Sequence, residues 1–113
     1  MSFAIINLTH SKFAIVDSWR FHALNKFAWR AVKAHTQFYA KTTIRKDGKD
    51  IDISMHRFIA QTPRGMVCHH RNHNSLDNRE ANLDNQDKRS HTLHHKANAI
   101  NIKRDPNYIP ESE

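Results

Sequence analysis

The chain is 113 residues long and 38% apolar, and its 18 Lys and Arg against 11 Asp and Glu leave a net charge of +7. That length fits one domain, and no apolar run approaches the roughly 18 residues that a membrane-crossing helix needs. The single cysteine, Cys68, excludes an internal disulfide and a four-cysteine zinc site, while the positive balance points to a polyanionic partner. The opening stretch, Met1–His10, lacks the basic-then-apolar layout of a secretory signal, so a cytoplasmic protein is expected.

Phe3–Asn7 and Lys12–Asp17 are short apolar runs around Leu8-Thr9-His10-Ser11 and are predicted to form a hairpin. Asp17 or Ser18 is placed to cap a short helix over Trp19–Phe27, with Trp19, Leu24 and Phe27 turned to the core. Ala28–Lys33 and Gln37–Arg45 read as strands, and the second continues through Lys46-Asp47-Gly48-Lys49 into Asp50–Ser54. Asp-Gly between alternating runs is a strong hairpin signal. Met55–Gln61 reads as a short helix ended by Thr62-Pro63-Arg64-Gly65, because a residue before proline avoids helical geometry. Met66–His70 is predicted as a strand, Arg71–Ala81 as a polar, Asn-rich loop, and Asn82–Gln86 as a short returning strand. Asp87 or Ser90 can cap a helix running to about Asn101, and Lys103–Glu113 reads as a loose tail. The expected fold class is α+β in one compact domain: a β-rich gripping region over 1–54, a strand-loop-strand-helix core over 55–102, and a tail over 103–113.

The charges divide along the chain. Residues 1–50 hold nine basic and three acidic groups, and 51–113 hold nine and eight, whereas seven of the ten histidines lie in 51–113. A positive first half and an imidazole-rich second half suggest a grip and a reaction centre. On a strand, His69 and His70 point to opposite sides and are not expected to share a task. On a helix, His91 and His95 share a face, the spacing at which two imidazoles bind one metal ion. One strand histidine with that pair supplies three nitrogen ligands, which leaves the other free to act as a base near neutral pH.

At Cys68-His-His-Arg-Asn-His-Asn-Ser-Leu-Asp-Asn-Arg79, then Asn82-Leu83 and His91, the sequence resembles the small phage-type HNH endonucleases of the ββα-metal superfamily. The H, N and H letters fall on His70, Asn82 and His91, twelve and nine residues apart. Upstream, Lys12–Asp17, Trp29, Tyr39-Ala40 and Met55-His-Arg-Phe-Ile59 look like that family's lead-in, so the likeness spans Leu8 to Asn101. The resemblance implies a ββα-metal nuclease core in which His70 is the general base. It also implies that Asn82 bonds backbone across the loop to orient His70, and that His91 binds metal. His69 stands where phage-type members usually carry Asp. That departure looks more like the colicin-type DNases, whose metal site is built from histidines, so His69, His91 and His95 are the expected ligands. Such a set suits one divalent ion, zinc or nickel in preference to magnesium, with manganese also open.

The resemblance implies hydrolysis of a phosphodiester in double-stranded DNA, by nicking or double-strand cleavage. The host would be bacterial for a phage-encoded, homing-type enzyme, acting as a monomer or a homodimer. Arg71 and Arg79 in the loop are candidates for the phosphate, and Lys41, Arg45, Lys46, Lys49 and Arg57 for the DNA backbone. The alternatives are a catalytically idle DNA-binding module and a structural zinc-binding protein. Trp19, Trp29, Phe38 and Tyr39 read as core aromatics, Asp77 and Asn78 as makers of turn hydrogen bonds, and Cys68 as a small buried apolar residue. His73 reads as an exposed loop residue, and His56 as packing beneath the site.

Overall fold

The structure is a computed structural model that describes residues 2–87. Over the described residues it is a mixed α+β fold of antiparallel strands with two short α-helices. The predicted helix toward Asn101, the tail over 103–113, His91 and His95 lie outside the described residues. No helix among the described residues is long and apolar enough to cross a membrane.

Strands β1 (Phe3–Asn7) and β2 (Phe13–Asp17) pair in register Phe3 with Asp17 and Asn7 with Phe13. Alternation turns Ala14 and Val16 of β2 inward with Ile6 of β1 and leaves Phe3, Ile5 and Phe13 exposed. A 3-10 turn over Ser18–Arg20 and the single helical turn α1 (Phe21–Leu24) follow. This is shorter than the predicted Trp19–Phe27 helix, and neither expected cap forms, since the Asp17 carboxylate is taken instead by the Glu80 backbone N–H at 2.8 Å. Of the three side chains expected inside, only Leu24 is buried. Trp19 is 70% exposed, with the Arg20 guanidinium 4.2 Å over its ring. Trp29 is the tryptophan in the core, its Nε1–H donating to the Leu24 carbonyl at 2.8 Å and so closing the end of α1.

Strands β3 (Arg30–Ala34), β4 (Gln37–Lys46) and β5 (Lys49–Ser54) form a three-stranded sheet in the order β3-β4-β5. Asp47 and Gly48 reverse the chain between β4 and β5 with φ of 52° and 78°. This two-residue turn with both φ positive is the geometry for which Asp-Gly is suited. Helix α2 (Met55–Ala60) buries Met55, Ile59 and Ala60 and stops at Gln61, in the left-handed region at φ 50°, two residues before Pro63. Strands β6 (Met66–His70) and β7 (Leu83–Asp87) pair antiparallel, His70 opposite Leu83. The core gathers Ile6, Ala14, Val16, Leu24, Trp29, Ala40, Met55, Ile59, Ala60 and Leu83, from β1, β2, α1, the segment before β3, β4, α2 and β7.

Candidate active site

The segment between β6 and β7 is polar yet closely tied down. Asn72 N–H donates to Asn82 Oδ1 at 3.0 Å, while Asn82 Nδ2 donates to the Asp77 carbonyl at 2.8 Å and to Asn72 Oδ1 at 3.0 Å. One buried amide thus bonds backbone on both sides of the loop. Asp77, 2% exposed, is held by Asn72 Nδ2 and by two bonds from Arg79, Nε at 2.8 Å and Nη2 at 2.7 Å. These donors, Arg79 first, keep its carboxyl below the usual carboxylate range. The loop is also sewn to the first hairpin. Ile15 N–H bonds the Leu76 carbonyl at 2.8 Å, and Asn78 N–H bonds the Ile15 carbonyl at 2.7 Å. Ser75 Oγ donates to the Phe38 carbonyl, and Arg20 pairs with Glu80 at 3.1 Å.

His70 lies at the end of β6 under this loop, 9% exposed. Its Nε2 lies 2.8 Å from Asn78 Oδ1. A carbonyl oxygen only accepts, so Nε2 carries the proton and Nδ1 keeps the lone pair. Burial pushes the imidazole below its ordinary pKa, and the Asn78 bond and the Asp77 carboxylate pull weakly the other way. His70 is therefore neutral at pH 7, with one nitrogen able to take a proton. The ring of His56, from α2, is centred 5.0 Å from that of His70 and 5.5 Å from that of Tyr39. Burial, then the neighbouring His70, Arg57 and Lys41, push the His56 pKa down to about 3.

A cleft of about 550 Å³ opens here, lined among others by Gln37, Tyr39, His69, His70, His73 and Ser75. His69 and His70 differ in environment, exposed and buried respectively. His69 stands directly opposite Asp84. Cys68 is half-buried and not sealed in the core: it packs against the core, lines the same cleft, and its thiol donates to the His56 carbonyl at 3.8 Å. Among the described residues, no three His, Cys, Asp or Glu side chains are grouped to hold a metal ion. Of the expected ligands, the described residues contain His69.

The cations expected to meet DNA fall into three settings. Lys41 and Arg45 alternate with Tyr39 and Thr43 on β4, so the face that enters the cleft at Tyr39 continues along the strand. On that face Arg45 pairs with Asp50 at 3.0 Å and Arg30 with Asp52 at 3.6 Å. Lys46 and Lys49 face each other across the Asp47-Gly48 turn, both exposed. In the loop and α2, three arginines already have protein partners. Arg71 pairs with Asp84 at 3.6 Å, Arg79 has its fork on Asp77, and Arg57 donates to the Met66 carbonyl at 3.0 Å.

Two side chains escape sequence reasoning. Asn78 reads in the sequence only as loop support, yet it holds the His70 ring. Asp84 carries no signal beyond its position opposite His69. Comparison with protein-family models, with curated proteins and with solved structures gave no match for this chain.

Proposed function

We propose that the protein is a metal-dependent DNA endonuclease with a ββα-metal core, in which His70 is the general base. The observation that carries this reading is the setting of His70: buried, held at Nε2 by Asn78 Oδ1 and lining a cleft, with burial favouring its neutral form. A base must hold a free lone pair at the working pH and a fixed orientation. His70 Nδ1 takes the proton of the attacking water, and the imidazolium that forms keeps its Nε2–H on Asn78. Asn82 and Asp77 hold the loop so that His70 and Asn78 keep their separation. Lys41 on the β4 face, two residues from Tyr39, binds the phosphate backbone beside the cleft, and Lys46 and Lys49, exposed at the β4–β5 turn, are a second point of backbone contact.

His69, with His91 and His95, is the proposed ligand set for one divalent ion, and imidazole donors favour a transition metal. When bound, such an ion neutralises charge on the phosphate. His69 lines the cleft and stands opposite Asp84 on β7.

The test is cleavage of supercoiled plasmid by the purified chain in magnesium, manganese, nickel or zinc. Nicked or linear product in at least one metal is expected. DNA binding with no cleavage in any of the four would leave the idle DNA-binding module in its place.

A further inference from the structure

We propose that His56 is a positioning residue for His70: its ring, packed against those of Tyr39 and His70, holds the His70 imidazole against Asn78. The proposal rests on the role given to His70 above, and it concerns a side chain to which that role assigns no task.

A single hydrogen bond fixes one atom of an imidazole and leaves the ring free to rock about it. The last torsion of histidine is broad and supplies little restraint of its own. A flat neighbour against the ring removes that freedom. The centroid of His56 lies 5.0 Å from His70 with the planes at 44°, and 5.5 Å from Tyr39 with the planes at 38°. Tyr39 and His70 are themselves 6.3 Å apart, which closes a triangle of three rings. Each corner comes from a different element, β4, α2 and β6.

The backbone holds His56 at the right height. Arg57 Nη1 donates to the Met66 carbonyl at 3.0 Å, and the Cys68 thiol donates to the His56 carbonyl at 3.8 Å. Helix α2 is therefore fastened to β6 at Met66 and Cys68, positions that share a side of the strand with His70. Met55, fully buried beside His56, anchors the start of the helix. His56 is also uncharged at neutral pH, because burial disfavours its protonated form and holds its pKa down to about 3. A neutral wall leaves His70 free to gain a charge without meeting a second one. A misplacement near 1 Å can cost about 10²-fold in rate, which gives such a wall its importance.

The experiment uses the full chain and two variants, His56→Phe and His56→Ala. kcat and KM are measured on plasmid, and NMR records the proximity of the His70 ring protons to the Asn78 side-chain amide. Phenylalanine keeps a flat neutral ring, so His56→Phe should preserve that proximity and hold kcat within about threefold. His56→Ala should abolish the NMR signal between the two groups and lower kcat about tenfold or more at unchanged KM. His56→Leu, which fills space without a flat face, replaces alanine in the test if the alanine variant is unfolded at the assay temperature. A persisting signal with parental kcat in His56→Ala or His56→Leu overturns the proposal. So does a fall in His56→Phe as large as in His56→Ala, which would make the imidazole itself a chemical participant. If the parent cuts no DNA in any metal, the nuclease reading fails and the NMR signal alone decides the positioning role.

Discussion

The β6–β7 loop and the β4–β5 turn both reverse an antiparallel pair with polar residues, and they are built in opposite ways. The turn needs two residues, Asp47 and Gly48, at positive φ, and it leaves Lys46 and Lys49 in water. The loop buries Ser75, Asp77, Asn78 and Asn82 and links them to β2 and β4. Most of its polar groups are taken up by partners in the loop, β2, β4 and β6, with Asn78 Nδ2 left buried and without a hydrogen bond, whereas Lys46 and Lys49 at the turn stay in water. The turn lies about 23 Å along β4 from Tyr39, taking seven strand residues at about 3.3 Å each. The proposed chemistry and the proposed grip are thus separable by substitution.

The widest separation is expected from His70→Ala. Cleavage should fall by about 10²–10⁴-fold, while DNA affinity stays within about twofold. Plasmid nicking beside a binding titration checks this, and a variant cutting within threefold of the parent would remove His70 from the role of base.

Next comes the loop itself. Asn82→Ala strips three hydrogen bonds from a buried network and leaves the Asn72 N–H and the Asp77 carbonyl unpaired. A loss of about 2–4 kcal/mol in unfolding free energy is expected, read by urea denaturation. A loss below about 1 kcal/mol would mean that the bonds to β2 suffice to hold the loop.

Acid should act on the same region. The folded pKa of His56, about 3, lies below the ordinary 6.5, so between those values the unfolded chain binds more protons. The stabilisation is complete above pH 6.5 and is lost as pH falls toward 3, with a slope approaching ~1.4 kcal/mol per pH unit. His70, shifted in the same direction, adds to it. Denaturation midpoints between pH 7 and 5 measure the slope, and His56→Phe should flatten it.

The smallest effect on the fold belongs to the turn. Replacing Lys46 and Lys49 with Gln should change stability by less than about 0.5 kcal/mol. It should lower the slope of log affinity against log salt by roughly 0.9 for each phosphate that is no longer neutralised. An unchanged salt slope would mean that this turn does not touch DNA.

Local signals are readable in the sequence, and long-range ones are not. Strands Phe3–Asn7 and Met66–His70 match their predicted limits because alternation and flanking breakers are properties of a few adjacent residues. The Asp47-Gly48 reversal is legible for the same reason. The short helix after β2 is overread from the sequence: its expected cap, Asp17, is claimed by a backbone N–H 63 positions away. Trp19 is sent inward by the predicted helix and by residue type, whereas it sits in the 3-10 turn before α1 begins and Arg20 covers its face. At the site, the strand period separates His69 from His70. Nothing local tells which of Asn72, Asn74, Asn78 and Asn82 reaches the imidazole, because that depends on Ile15 docking the loop.

The contrast between the two tryptophans gives the molecule a built-in pair of optical reporters. Trp29 is 6% exposed with its indole N–H bonded inside the fold, and Trp19 is 70% exposed. Acrylamide should quench the red-shifted emission of Trp19 first and leave the blue-shifted emission of Trp29. Unfolding shifts Trp29 alone. A ligand that settles over the first hairpin therefore changes the quenchable fraction, and a ligand that loosens the core changes the protected one.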